Sequence, residues 1–264
     1  LKTTILAIAV VLALSISAGA QTLGSPAARD PAPASQPRDI VDLPTAGLPP
    51  RAGFYVESDV YSEGAVLVSL GVGFARYFSF GISYGGLGVL GSGDPNMDPE
   101  PGVQIKARLV NESIAMPALA IGFDSQGRGP YVDSLGRYLV KSRGIYAVAS
   151  KNWDILGPLS LHGGINYSLE TEDDNDPTLF IGVIKSLSGL LDIKAEYDLA
   201  LNDNEGPKAF VEKRGFLNAA VAWHVNENFA LALEVRDIAS KRRVDGEDLR
   251  KWNRGLSIVY TGML

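Results

Sequence analysis

Several groups of polar residues have the types and spacing that chemistry requires. Ser160, His162 and Asn166 lie within seven positions of one another. A histidine with a hydroxyl and an amide can run acyl hydrolysis, the imidazole drawing the proton from the attacking oxygen. On an extended chain, residues two apart share a face but stand about 6–7 Å apart. That exceeds hydrogen-bond reach, so the set gives no assembled nucleophile and no catalytic residue is assigned. The acidic run Glu170-Thr171-Glu172-Asp173-Asp174-Asn175-Asp176 could offer carboxylates to a hard cation. It lacks the glycine and the closing glutamate of an EF-hand loop, and reads as a solvated loop. Lys241-Arg242-Arg243 could meet lipopolysaccharide or glycan phosphates, although acidic residues follow at once. No metal site and no cofactor are assigned.

The largest group is spread over many segments. In Leu190–Leu201, one parity carries Leu191, Ile193, Ala195, Tyr197, Leu199 and Leu201, and the other Asp192, Lys194, Glu196 and Asp198. Successive side chains of a strand point to opposite faces, so one face is apolar and the other charged. The same rule assigns Glu57, Asp59, Lys106, Arg108, Asp124, Glu234 and Arg236 to the charged face of other segments. With Asp192, Lys194, Glu196 and Asp198 they form a candidate set of lumen-lining residues. Charges in a narrow interior must be paired or hydrated. The set is therefore either the lining of a path for a polar solute or an ion-pair filling.

The elements that position these residues are about twelve period-2 segments. They lie near 53–61, 64–74, 78–87, 102–111, 117–125, 143–152, 158–169, 178–186, 190–201, 215–225, 229–238 and 255–264. Most run 9–11 residues, the length of a tilted membrane strand. Parity is unclear in 143–152 and 178–186, where both faces are moderately apolar. Short links alternate with long charged ones, apart from a short first outer link near Ser62–Glu63, as expected when one rim faces the periplasm and the other the outside. Phe74, Tyr77, Phe78, Trp153, Trp223 and Phe229 fall at the short-turn rim, and Tyr84, Tyr167, Tyr197, Phe180 and Phe216 toward the loop rim. Two aromatic belts match two membrane interfaces. The expected fold is all-β, a single antiparallel transmembrane β-barrel of about 12 strands.

Targeting and composition agree with that expectation. An apolar run from Ile5 to Ile16 follows Lys2, and Ala18-Gly19-Ala20 supplies an A-x-A cleavage pattern, so residues 1–20 read as a signal peptide. Residues 21–50, rich in Pro and Ala, read as a disordered periplasmic linker. Residues 51–264 read as the outer-membrane barrel. The 264 residues include no cysteine, which excludes disulfides and thiolate metal sites. A net charge of −6 argues against nucleic acid as a partner. The final segment, Gly255–Leu264, looks like the signal that outer-membrane barrels present to the assembly machinery, with Leu264 in place of the usual aromatic.

The stretches Phe80–Gly86, Pro117–Asp124 and Tyr138–Trp153 resemble the YjbH-like outer-membrane family. The resemblance implies a role connected with exopolysaccharide production or export and supplies no catalytic residues. Together these readings predict a porin-like or secretion-accessory channel in the outer membrane for a polar solute, a polysaccharide among the candidates. The partners expected are outer-membrane lipid, lipopolysaccharide and the barrel-assembly machinery. The alternatives are a scaffold barrel with an ion-pair-filled lumen and an outer-membrane acyl hydrolase.

Overall fold

The structure, a computed structural model, describes residues 37–264 apart from 92–93, 172–173, 205–214, 239–242, 245–246 and 249–253. Twelve long strands form the wall: β1 (Gly53–Tyr61), β2 (Val66–Ala75), β3 (Phe78–Leu87), β4 (Gly102–Val110), β5 (Ala118–Asp124), β6 (Gly144–Asp154), β7 (Pro158–Tyr167), β8 (Thr178–Ser186), β9 (Leu191–Asp198), β10 (Phe216–His224), β11 (Phe229–Val235) and β12 (Arg254–Met263). Each pairs antiparallel with its neighbours in sequence. β1 then pairs with β12 in an unbroken register from Gly53↔Met263 to Tyr61↔Gly255, which closes the barrel and removes both edges. The Leu264 N–H donates to the Ala52 carbonyl at 2.8 Å, so the two ends of the barrel meet at the short-turn rim.

Alternation is carried round the whole wall. Ile145, Ile165, Ile181, Ile193, Val221 and Leu233 all point outward and are exposed. A soluble protein rarely exposes a contiguous apolar patch above a few hundred Å². An apolar surface repeated on strand after strand of a closed barrel has lipid as its solvent. The barrel spans a membrane. The outer-face aromatics Phe74, Tyr77, Phe78, Trp153 and Trp223 are exposed near the short-turn rim, and Tyr84 and Tyr167 near the other. Two expected belt members are corrected: Phe180 and Phe216 are buried and face the lumen, because they share the inward parity of Thr178 and Asn218.

Residues 37–50 depart from the expected linker. Ile40, Leu43, Thr45 and Ala46 are almost wholly buried. Ile40, Val41, Leu43 and Ala46 pack with Ala118, Ala120, Tyr146, Val148, Phe180, Ile184 and Ala220 on the inner wall of β5, β6, β8 and β10. The segment is a small hairpin inside the barrel, closed by Ile40 N–H to Leu43 O at 2.9 Å and Thr45 N–H to Arg38 O at 3.0 Å. Burying Ile40 and Leu43 stabilises its seating by about 1.5–3 kcal/mol each. The unclear parity of 143–152 and 178–186 has the same cause: one face meets lipid and the other meets the hairpin. Residues 1–36, with the expected signal peptide and the rest of the linker, lie outside the described residues.

Candidate functional site

A hairpin inside a barrel cannot join the wall's hydrogen-bond ladder, so its backbone groups need other partners. Pro37, Pro44, Pro49 and Pro50 reduce the demand, since proline has no N–H. Side chains of the wall supply the rest. Glu196 of β9 accepts the N–H groups of Val41, Asp42 and Leu43 at 2.9, 2.9 and 3.0 Å, and the Asn218 amide at 2.8 Å. Three successive N–H groups converging on one carboxylate form an anion nest. The Ser150 hydroxyl accepts the Ala46 N–H at 2.8 Å. Lys106 Nζ donates to the Arg38 carbonyl at 3.0 Å, and Arg108 Nε to the Ala46 carbonyl at 2.9 Å.

The tip of the hairpin returns the arrangement with its own carboxylate. Asp42 meets Arg236 in a two-pronged pair, Nε to Oδ2 at 2.9 Å and Nη2 to Oδ1 at 2.9 Å. Arg128 Nε donates to Oδ1 at 3.1 Å and Asn218 Nδ2 to Oδ2 at 3.3 Å. Arg128 comes from an excursion of the 125–143 link, where Arg128–Val132 pairs with Arg137–Val140. Glu170 fastens that excursion by accepting the N–H groups of Ser142 and Tyr138 at 2.6 and 3.2 Å. Burial pushes the Glu170 carboxyl above its ordinary range, against the pull of those hydrogen bonds. A cavity of about 80 Å³ adjoins Asp42, lined in part by Tyr61, Arg128, Arg143, Asn218 and Arg236.

The remaining candidate residues fall as follows. Glu57 pairs with Arg38 of the hairpin. Asp59 is buried 4.0 Å from Arg128 Nη1. Asp124 caps the Gln126 N–H at 2.9 Å. Asp198 pairs with Arg143 and accepts the Thr178 hydroxyl. Glu234 lies 2.8 Å from Arg236 Nη2. Asp192 sits 2.7 Å from His224 Nε2, away from the hairpin. Lys194 shares the inward face of β9 and is half-buried.

Ser160, His162 and Asn166 are not brought together. Ser160 donates to Asn152 and Asn166 to the Arg143 carbonyl. His162 Nδ1 instead meets Ser150 Oγ at 2.8 Å across the β6–β7 pair. His162 Nε2 is buried with no hydrogen-bond partner, so no carboxylate orients the ring, and the Ser150 hydroxyl lies under the hairpin. That pair lacks the third member an activated serine needs. Among the described residues no group of three or more His, Asp or Glu side chains is placed to hold a metal ion. Lys241, Arg242, Glu172 and Asp173 lie outside the described residues.

Sequence reasoning missed Asp42, Arg128, Asn218 and Ser150. Arg128 and Asp42 sit in stretches without strand periodicity. Asn218 and Ser150 are uncharged inward residues that alternation alone does not distinguish.

No family model and no curated protein matches the chain. Among solved structures it is similar to a NanC porin, at 11% identity and a TM-score of 0.46, covering 80% of this chain and 99% of that one. A KdgM porin gives 10% identity and a TM-score of 0.46 over 80% of this chain and 99% of that one. The outer membrane protein Omp33 of Acinetobacter baumannii gives 9% identity and a TM-score of 0.43, covering 80% and 97%.

Proposed function

We propose that this protein is an outer-membrane, porin-like channel for a polar solute, closed at rest by the 37–50 hairpin acting as a plug. The observation that carries this reading is where the wall charges go. In a barrel filled by its own side chains, wall charges would pair mainly with one another. Here Glu57, Lys106, Arg108, Glu196 and Arg236 all reach a separate segment, which runs on into β1 through Arg51 and Ala52 at one rim. Moving that one segment would leave a lumen lined by charge. The reaction class is passage, not catalysis, with Ser150 and His162 serving to seat the plug. A glycan is the solute that the YjbH-like stretches suggest.

The scaffold alternative draws on the tightness of the same contacts and the small size of the cavity beside Asp42. Planar-bilayer recording separates the two. The intact chain is expected to conduct weakly, and a variant lacking 37–48 to give steady current steps severalfold larger. A deletion variant that inserts, shows heat-modifiable migration and passes no current at any salt would overturn the channel.

A further inference from the structure

The cradle that holds Asp42 is built like a ligand site. Arg236 presents its Nε and Nη2 edge to both carboxylate oxygens, the planar fork that matches a carboxylate. Arg128 and Asn218 each contact one oxygen. Arg143 lines the adjoining cavity. The arginines are not used up by the hairpin: Arg236 Nη1 is buried with no hydrogen-bond partner, and Arg128 Nη1, buried likewise, has only the Asp59 carboxylate at 4.0 Å, beyond hydrogen-bond reach. Both residues line the cavity next to Asp42. A lock serving only to hold the hairpin would gain nothing from buried donors left without a hydrogen bond, each of which has a desolvation cost.

We infer that the Arg128–Arg236–Asn218 cradle is a binding site for a carboxylate-bearing solute, with Asp42 as its internal occupant. Solute and hairpin then compete for the same donors, so the carboxylate that enters also unseats the plug. The inference rests on the channel reading and narrows it from polar solutes to acidic ones. A neutral sugar offers hydroxyl acceptors but neither the charge nor the paired oxygens that the fork matches. A simple salt screens the pair without occupying it.

The chain has no cysteine, so Ala46→Cys introduces a single thiol at a site that is wholly buried beside Ser150. In full-length protein, millimolar sodium glucuronate is expected to raise the rate of labelling by a water-soluble maleimide at least fivefold. Glucose, and sodium chloride at matched ionic strength, are expected to leave the rate near its starting value. Equal acceleration by sodium chloride, or none by glucuronate, would overturn the site. Calorimetry gives the second arm. Asp42→Asn weakens the internal competitor, so glucuronate is expected to bind at least tenfold more tightly than to the parent chain. Adding Arg236→Gln should abolish that binding. Unchanged affinity in folded Asp42→Asn would also overturn the site, and if that variant does not fold, the labelling result decides alone. Glucuronate-driven labelling without current from the plug deletion would sink the channel and leave the site. Current from the deletion without glucuronate-specific labelling would sink the site and leave the channel.

Discussion

Glu196 joins the ladder of alternating charges to the hairpin, because its two oxygens receive three backbone N–H groups and one amide. Replacing it with Gln keeps the volume and removes the charge. One oxygen is left, and the new NH₂ points donors at donors. Hydrogen bonds to a charged group contribute about 1.5–3 kcal/mol each and are not additive, so Glu196→Gln should weaken seating by about 2–4 kcal/mol. Every 1.4 kcal/mol is about tenfold, so maleimide labelling of Ala46→Cys should rise by more than tenfold with the barrel intact in heat-modifiability gels. Unchanged labelling would remove Glu196 from the lock. The sequence placed Glu196 on the inward face, since parity needs only its neighbours. Its partner was not legible, because the prolines that let residues 37–50 sit inside without ladder hydrogen bonds are the same ones that made them read as a linker.

The strands themselves were legible because period-2 patterning reports local geometry, and β1 and β3 occupy the very spans that the alternation predicted. What joins one strand to the next inside the lumen was not. The Tyr146 ring of β6 lies over Gly122 of β5, where an added Cβ would come within 2.3 Å of Tyr146 Cζ. Tyr55 of β1 covers Gly71 of β2 in the same way, with an added Cβ 2.3 Å from its ring. Sequence shows a glycine in a strand but not the cross-strand ring that fills its place. Gly122→Val should therefore act as overpacking and destabilise the β5–β6 pair by about 1–3 kcal/mol, read as a lower urea midpoint in detergent. Tyr146→Phe keeps the ring and should leave the midpoint nearly unchanged. A Gly122→Val midpoint equal to the parent's would mean that β6 repacks without strain.

At the scale of the whole molecule, two solvents act on one wall, and the even strand count lets both ends of the barrel meet at one rim. Lipid sets the outer parity and the 37–50 hairpin sets part of the inner one, so Tyr146, Val148, Phe180 and Ile184 are apolar although they face the lumen. That apolar inner patch was visible in the sequence as the unclear parity of 143–152 and 178–186. It could not be read as a buried occupant, since the occupant is remote in the chain. The outer face is tested by charge. Ile181 is exposed, lies near the middle of β8, and pairs with Gly163 and Tyr197 of the flanking strands. An arginine on the lipid face at mid-membrane costs about 2–4 kcal/mol, falling toward zero near the interfaces. Ile181→Arg should lower the unfolding free energy in phosphatidylcholine bilayers by about that amount. Leu179→Arg, one outward step nearer the loop rim on the same strand, should cost measurably less. Equal, small effects at both positions would mean that water, not lipid, bathes that face.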